Sequence, residues 1–173
     1  MWDPSRIKTT SDRNAKAVEL RPRLGRGTAV TTVRLQEGFS CEVEEGKWRF
    51  TVGMSEKSGG IDNGPNPGVI GRGALGSCLA LSYAMWAARL DVPIANLEVE
   101  VQADYDARGM YGVGDVPPGY ERLRWIVTVG SDAPQDVVMR MLDEADSHCD
   151  FLHVFRHPQD VRREVRLLAP ERR

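Results

Sequence analysis

The residues best suited to covalent chemistry in this chain are its three cysteines, and two of them, Cys78 and Cys149, stand where a thiol is usable. Cys78 falls within Gly76-Ser77-Cys78-Leu79-Ala80, inside a long apolar segment where an isolated cysteine also reads as a small core hydrophobe. Cys149 lies between His148 and Asp150, where a second helical pattern runs out, and a thiol at a helix end is easier to reach than one in mid-helix. Together they suggest a two-cysteine thiol peroxidase. One thiolate attacks a peroxide oxygen and becomes a sulfenic acid; the other thiol condenses with it to a disulfide, which a small dithiol or thioredoxin-type partner reduces. Such chemistry needs the first thiol ionised, usually by a nearby guanidinium. Spacing along the chain leaves open whether the two sulfurs meet.

Other residues give weaker patterns. Cys41 shares a strand face with Phe39 and Val43 and reads as a sheet residue. His148, Cys149, His153 and His157 fit no common closed zinc site and include one thiol, so no metal is expected. A Cys149–His hydrolase dyad lacks any accompanying oxyanion motif. Trp2, Trp48, Trp86 and Trp125 are spread over different elements, and packing accounts for them. No cofactor is expected.

The elements that must position these thiols follow from hydrophobic period. Residues 1–22 are polar and aperiodic and predict a loose arm or short helix, leaving 23–173 as a single domain. Thr28 to Leu35, Phe39 to Val43 and Lys47 to Val52 predict a three-stranded meander, with Gly38 and Glu45-Gly46 in the turns. Ser58 to Pro67 (SGGIDNGPNP) is a loop. A segment apolar nearly all round, from Val69 to Leu90, predicts a buried helix ended by Asp91-Val92-Pro93. Its glycines, Gly71, Gly73 and Gly76, suggest close approach by another backbone. Leu97 to Tyr105 and Arg122 to Val129 alternate as strands around a Gly/Pro-rich excursion from Asp106 to Tyr120. Ser131-Asp132-Ala133-Pro134 predicts the start of a second helix with a Val137, Val138, Met141, Leu142, Ala145 stripe. Asp160 to Leu168 predicts a final strand. Strands segregated from helices predict an α+β fold.

Composition narrows the class. Hydrophobic residues make up 41% and charged residues 28%, with a formal net charge of -2, which suits a folded domain and points to neither nucleic acid nor membrane surface. The basic runs Arg21 to Arg26 and Arg162 to Arg173 read as solvated ends. The longest uncharged apolar stretch, Gly73 to Ala88, would span about 24 Å as a helix, short of a roughly 30 Å bilayer core. The N-terminus carries no signal-like apolar run, and with free cysteines this predicts a cytoplasmic, reducing location.

Several separated motifs resemble the OsmC/Ohr family. Gly60-Ile61-Asp62-Asn63-Gly64-Pro65-Asn66-Pro67 followed by Ala74-Leu75-Gly76-Ser77-Cys78 is similar to that family's "GPNP … AALGAC" signature. Val92 to Val101 resembles the strand entered after its central helix, and His148-Cys149 its second cysteine. The resemblance covers roughly Arg23 to Leu168. It implies antiparallel sheets packed around a buried central helix, an intertwined homodimer, and active sites at the subunit interface. It further implies that Cys78 is the peroxidatic thiol and Cys149 resolves it as a Cys78–Cys149 disulfide, in oxidative stress defence. Organic hydroperoxides would be the substrates and a lipoyl or thioredoxin-type dithiol the reductant. An Arg near the first strand would stabilise the thiolate, and Arg23 and Arg26 are the candidates. The chain departs from the pattern at Gly68 and Val69, where peroxidatic members carry the Glu that orients this Arg, and at Asp150, where the family usually has Pro and where a carboxylate beside Cys149 is expected to raise its thiol pKa. Arg72 stands about 600° of helix from Cys78 and points elsewhere. The missing Glu keeps a second expectation in view, a noncatalytic, redox-responsive protein or one that binds a small apolar ligand.

Overall fold

In the computed structural model, which describes residues 3–168, the chain forms five helices and five strands among those residues. Helix α1 (Pro4–Leu20) precedes strands β1 (Thr32–Gln36), β2 (Ser40–Glu45) and β3 (Trp48–Gly53). Helix α2 (Pro67–Arg89) leads to β4 (Asn96–Tyr105), α3 (Ala107–Met110) and β5 (Tyr120–Gly130). Helices α4 (Gln135–Ser147) and α5 (Asp150–Arg156) follow. This is an α+β fold with two antiparallel sheets, the meander β1-β2-β3 and the long hairpin β4-β5.

The alternation read from the sequence sets the registers. Val33, Val43 and Phe50 align across the meander, as do Leu35, Cys41 and Val52, so one face is apolar and the other carries Arg34, Glu42, Glu44 and Arg49. In the hairpin Leu97, Val99 and Val101 lie opposite Val129, Val127 and Trp125. That face packs on α2, whose Leu75, Leu79 and Tyr83 are buried together with Ala145, Cys149 and Leu152 from the last two helices. A second cluster of Ala87, Val92, Val138 and Met141 closes the far end of α2.

Local chemistry fixes the ends of α2. Asn66 accepts a hydrogen bond from Val69 N at 3.0 Å through Oδ1, and Pro67 occupies the first helical position. The loop before it is pinned to β3, with Gly53 N donating to Pro65 O at 3.1 Å. Gly60 is required there, because a Cβ would stand 2.0 Å from Met54 O. Gly76 lets β4 approach α2; its Cβ would meet Val101 Cγ2 at 3.2 Å.

Four expectations need correction. Of the two forms expected for the N-terminal segment, a loose arm or a short helix, residues 4–20 take the helix, but at 17 residues it is long: Asp3 caps it through Ser5 N and Arg6 N, and ion pairs Lys8–Asp91 and Asp12–Arg89 dock it on the end of α2. The 106–120 excursion, by contrast, joins the antiparallel pair β4 and β5 as expected, and holds the short helix α3, with Asp106 accepting from Arg108 N. Ser131 begins a turn, not a helix; its Oγ accepts from Ala133 N at 3.1 Å, and α4 starts at Gln135. Asp160 to Leu168 pairs with neither sheet among the described residues, and Val161, Val165, Leu167 and Leu168 are exposed. Finally, α2 is covered on only part of its circumference: Val69 and Leu81 are exposed, the latter 71%. Residues 1, 2 and 169–173 of the arm, domain and basic-tail assignments lie outside the described residues.

Candidate functional site

Cys78 projects half-buried from the middle of α2, and Cys149 is buried at the junction where α4 ends and α5 begins, which corrects the expectation that the helix-end thiol is the easier one to reach: α2 packs over the junction and leaves Cys149 2% exposed. The junction lies against α2, and the two sulfurs stand 3.4 Å apart, with the Cys149 thiol donating to Cys78 Sγ. Both cysteines are free thiols, as is Cys41 on β2. A disulfide needs about 2.05 Å between sulfurs, so closure asks the two sulfurs to approach by roughly 1.3 Å.

The surroundings of Cys149 push its thiol above the usual 9.0. Burial is the leading cause, with the neighbouring Cys78 sulfur adding to it. The Leu152 N–H and the Ser82 hydroxyl pull the other way. The carboxylate expected to raise this thiol, Asp150, is exposed at the first position of α5, and burial leads in its place. Cys149 is thus kept as a protonated thiol against the half-buried sulfur of Cys78.

A polar network borders the pair. Tyr83, 1% exposed, donates from Oη to Asp146 Oδ1 at 2.6 Å, and Trp125 Nε1 donates to the same Oη at 3.2 Å. Burial, then Asp146, raises the Tyr83 phenol well above its ordinary 10.0. Sequence reading missed this network; its only signal was an acid, Asp146, beside the apolar Met141–Ala145 stripe of α4. It missed Ser82 and α5 as well.

The candidate arginines lie apart from the thiols. Arg23 and Arg26 are exposed on and after the 3-10 turn Pro22–Gly25, and among the described residues neither hydrogen-bonds to Cys78. Arg72 points away, as expected, and donates to Tyr120 Oη at 3.3 Å. A Cβ on Gly68 would stand 3.2 Å from Arg72 Nη1, so that guanidinium borders the position where the family pattern has Glu. His148 packs tilted against Trp86 with ring centroids 4.8 Å apart, and His153 stacks on His157 at 4.3 Å. Among the described residues no three His, Cys, Asp or Glu side chains gather as a metal would require. An apolar groove of about 590 Å³ runs between α1 and α2, lined by Ile7, Ala15, Leu81, Ala84 and Met85 together with Arg6 and Arg89; neither Cys78 nor Cys149 lines it. Among the described residues no helix is long and apolar enough to cross a membrane.

Comparison with known proteins gives a consistent result. The family model described as OsmC-like protein matches residues 59–164. No curated protein matches the sequence. Among solved structures, an OsmC-like protein from Mycoplasma pneumoniae is similar over 75% of this chain and 88% of that one, with a TM-score of 0.64 and 14% identity. An organic hydroperoxide resistance protein from Elizabethkingia anophelis, crystallised with thiocyanate, has a TM-score of 0.57 at 13% identity over 76% and 91% of the two chains. The organic hydroperoxide resistance protein OsmC from Legionella pneumophila has a TM-score of 0.54 at 14% identity over 76% and 92%. At these identities the likeness is one of fold.

Proposed function

The chain belongs to the OsmC-like protein family, and from that premise we propose that it reduces organic hydroperoxides through Cys78 and Cys149. The observation that carries this reading is the 3.4 Å separation of two free sulfurs from distant parts of the chain. In the proposed cycle the Cys78 thiolate attacks the outer oxygen of the hydroperoxide, the O–O bond breaks, and the alcohol leaves with a proton. Cys149 then attacks the sulfenic sulfur, the S–O bond breaks, and water leaves with the Cys149 proton. A dithiol of lipoyl or thioredoxin type returns both thiols. The protonated state of Cys149 suits the second role better than the first, since the thiolate is the peroxide nucleophile.

The reading includes assembly as a homodimer. Support comes from the apolar face of β1-β2-β3, where Val33, Leu35 and Phe50 are exposed in the single chain, and from the open side of α2. Arg23 or Arg26 is assigned the thiolate-stabilising role, delivered from the partner copy. The work would be done in the cytoplasm, as part of oxidative stress defence.

The test is turnover of cumene hydroperoxide and of hydrogen peroxide with dihydrolipoamide or dithiothreitol as reductant. The reading expects the organic peroxide to be consumed faster, Cys78→Ser to abolish consumption, and Arg23→Ala or Arg26→Ala to slow it by at least tenfold, the scale on which loss of one electrostatic contact acts. Peroxide loss no faster than with free thiol overturns it. The apolar groove between α1 and α2 then favours the second reading, a protein that holds a small apolar ligand without turnover.

A further inference from the structure

The Tyr83–Asp146–Trp125 network ties together three elements, α2, α4 and β5, at one point, with Tyr83 buried and Asp146 and Trp125 half-buried. Tyr83 stands five residues beyond Cys78 on α2, and Asp146 three residues before Cys149 on the last turn of α4. Asp146 also reaches Cys149 through the backbone, its carbonyl accepting the Cys149 N–H at 3.4 Å. The contacts therefore form a closed circuit, from Cys78 along α2 to Tyr83, across to Asp146, and back through one turn to Cys149 and its sulfur.

The placement of Asp146 needs a reason. A carboxylate in the last turn of a helix opposes the macrodipole, and α4 has no basic residue in that turn to offset it. The hydrogen bond from Tyr83 is the compensating contact, and a buried polar network with each group satisfied fixes geometry more than it adds stability. The geometry it fixes is that of the α4–α5 junction relative to the helix carrying Cys78.

We propose that Tyr83 and Asp146 are positioning residues that set the approach of the Cys149 sulfur to Cys78, and so govern closure of the disulfide without taking part in attack on the peroxide. The proposal rests on the redox reading of the cysteine pair. It concerns the step in which Cys149 attacks the Cys78 sulfenic acid formed by the hydroperoxide; the S–S bond forms, the S–O bond breaks, and water carries off the Cys149 proton. A misplacement of about 1 Å in a reacting pair slows a step by as much as a hundredfold.

Tyr83→Phe keeps the ring in the core and deletes the hydrogen bond; Asp146→Ala removes the acceptor from the other side, and Asp146→Asn retains one. Two quantities decide the matter in each variant, with thermal unfolding as a check of the fold. One is the equilibrium between the Cys78–Cys149 disulfide and dithiothreitol. The other is the rate of Cys78 thiol loss against the rate of disulfide appearance after cumene hydroperoxide, by quenched mass spectrometry. The expected result is Cys78 loss within twofold of wild type, disulfide closure slowed about tenfold, sulfinic acid accumulating at Cys78 under excess peroxide, and the equilibrium moved about tenfold toward the dithiol. Asp146→Asn should restore most of each. Closure and equilibrium within twofold of wild type in both Tyr83→Phe and Asp146→Ala overturn the proposal, as does equal slowing of the two steps. If wild-type Cys78 ignores hydroperoxide, the peroxidase reading falls, and the dithiothreitol equilibrium alone still decides the positioning claim.

Discussion

A thiol packed among Leu75, Leu79, Ala145 and Leu152 loses the water that would solvate its anion, and this burial holds Cys149 in its protonated form. The consequence for stability has a definite sign. The native Cys149 pKa lies above the unfolded value of 9.0, so its contribution is intact below 9.0 and is lost as pH rises from there through the native value. Tyr83, also raised from 10.0, adds a second loss further up. Urea unfolding measured from neutral to alkaline pH is therefore expected to show a decline beginning near 9.0 that Cys149→Ser flattens, leaving only the later part; an unchanged profile in the variant would contradict the burial argument. At this scale the sequence exposed the two cysteines, because their residue type and motif context speak for themselves. It did not expose Tyr83, Asp146 and Trp125, since their meaning arises only when three elements distant in sequence converge. Asp150 misled for the converse reason: a carboxylate adjacent in sequence is exposed at the start of α5, and the thiol follows its burial.

Helix α2 carries Cys78, Ser82 and Tyr83 on one rigid body, so its start and its contact with β4 decide where the site lies. Asn66→Ala removes the bond to Val69 N and should lower stability by about 1 kcal/mol, with Asn66→Asp close to neutral, read as the shift in urea midpoint. No change with alanine would mean that the loop contacts to β3 alone hold the helix start. The strands and α2 were legible because alternation and a long apolar run are local signals. The length of α1 was missed although Asp3-Pro4 is a sound helix start, because its sequence has no strong apolar stripe and its docking depends on the distant Asp91 and Arg89. Helix α5 was missed because it is seven residues long and buries a single one, Leu152. Asp160 to Leu168 failed in the opposite sense: the alternation is present, but strand formation needs an edge to pair with, and the segment pairs with none of the edges that β1, β3, β4 and β5 present.

The whole chain leaves apolar surface that a lone soluble domain would cover. Val33, Leu35 and Phe50 share one uncovered face of the meander, and Leu81 and Val69 are exposed on α2. Self-association in solution is the expected outcome. Sedimentation velocity should show a species heavier than one chain, and Leu35→Glu on that face should shift it toward the monomer; a wild-type monomer at micromolar concentration would refute the assembly. The family match spans residues 59–164, so it includes both thiols and the network but not the meander or α1, which must be understood from their own packing. The central claim is the coupling of Cys78 to Cys149, and it is tested most directly by peptide mass mapping after one equivalent of cumene hydroperoxide. A rapid Cys78–Cys149 disulfide, with Cys41 left reduced and no disulfide in Cys78→Ser, is the predicted result. All three thiols remaining reduced, or a disulfide through Cys41, would contradict it.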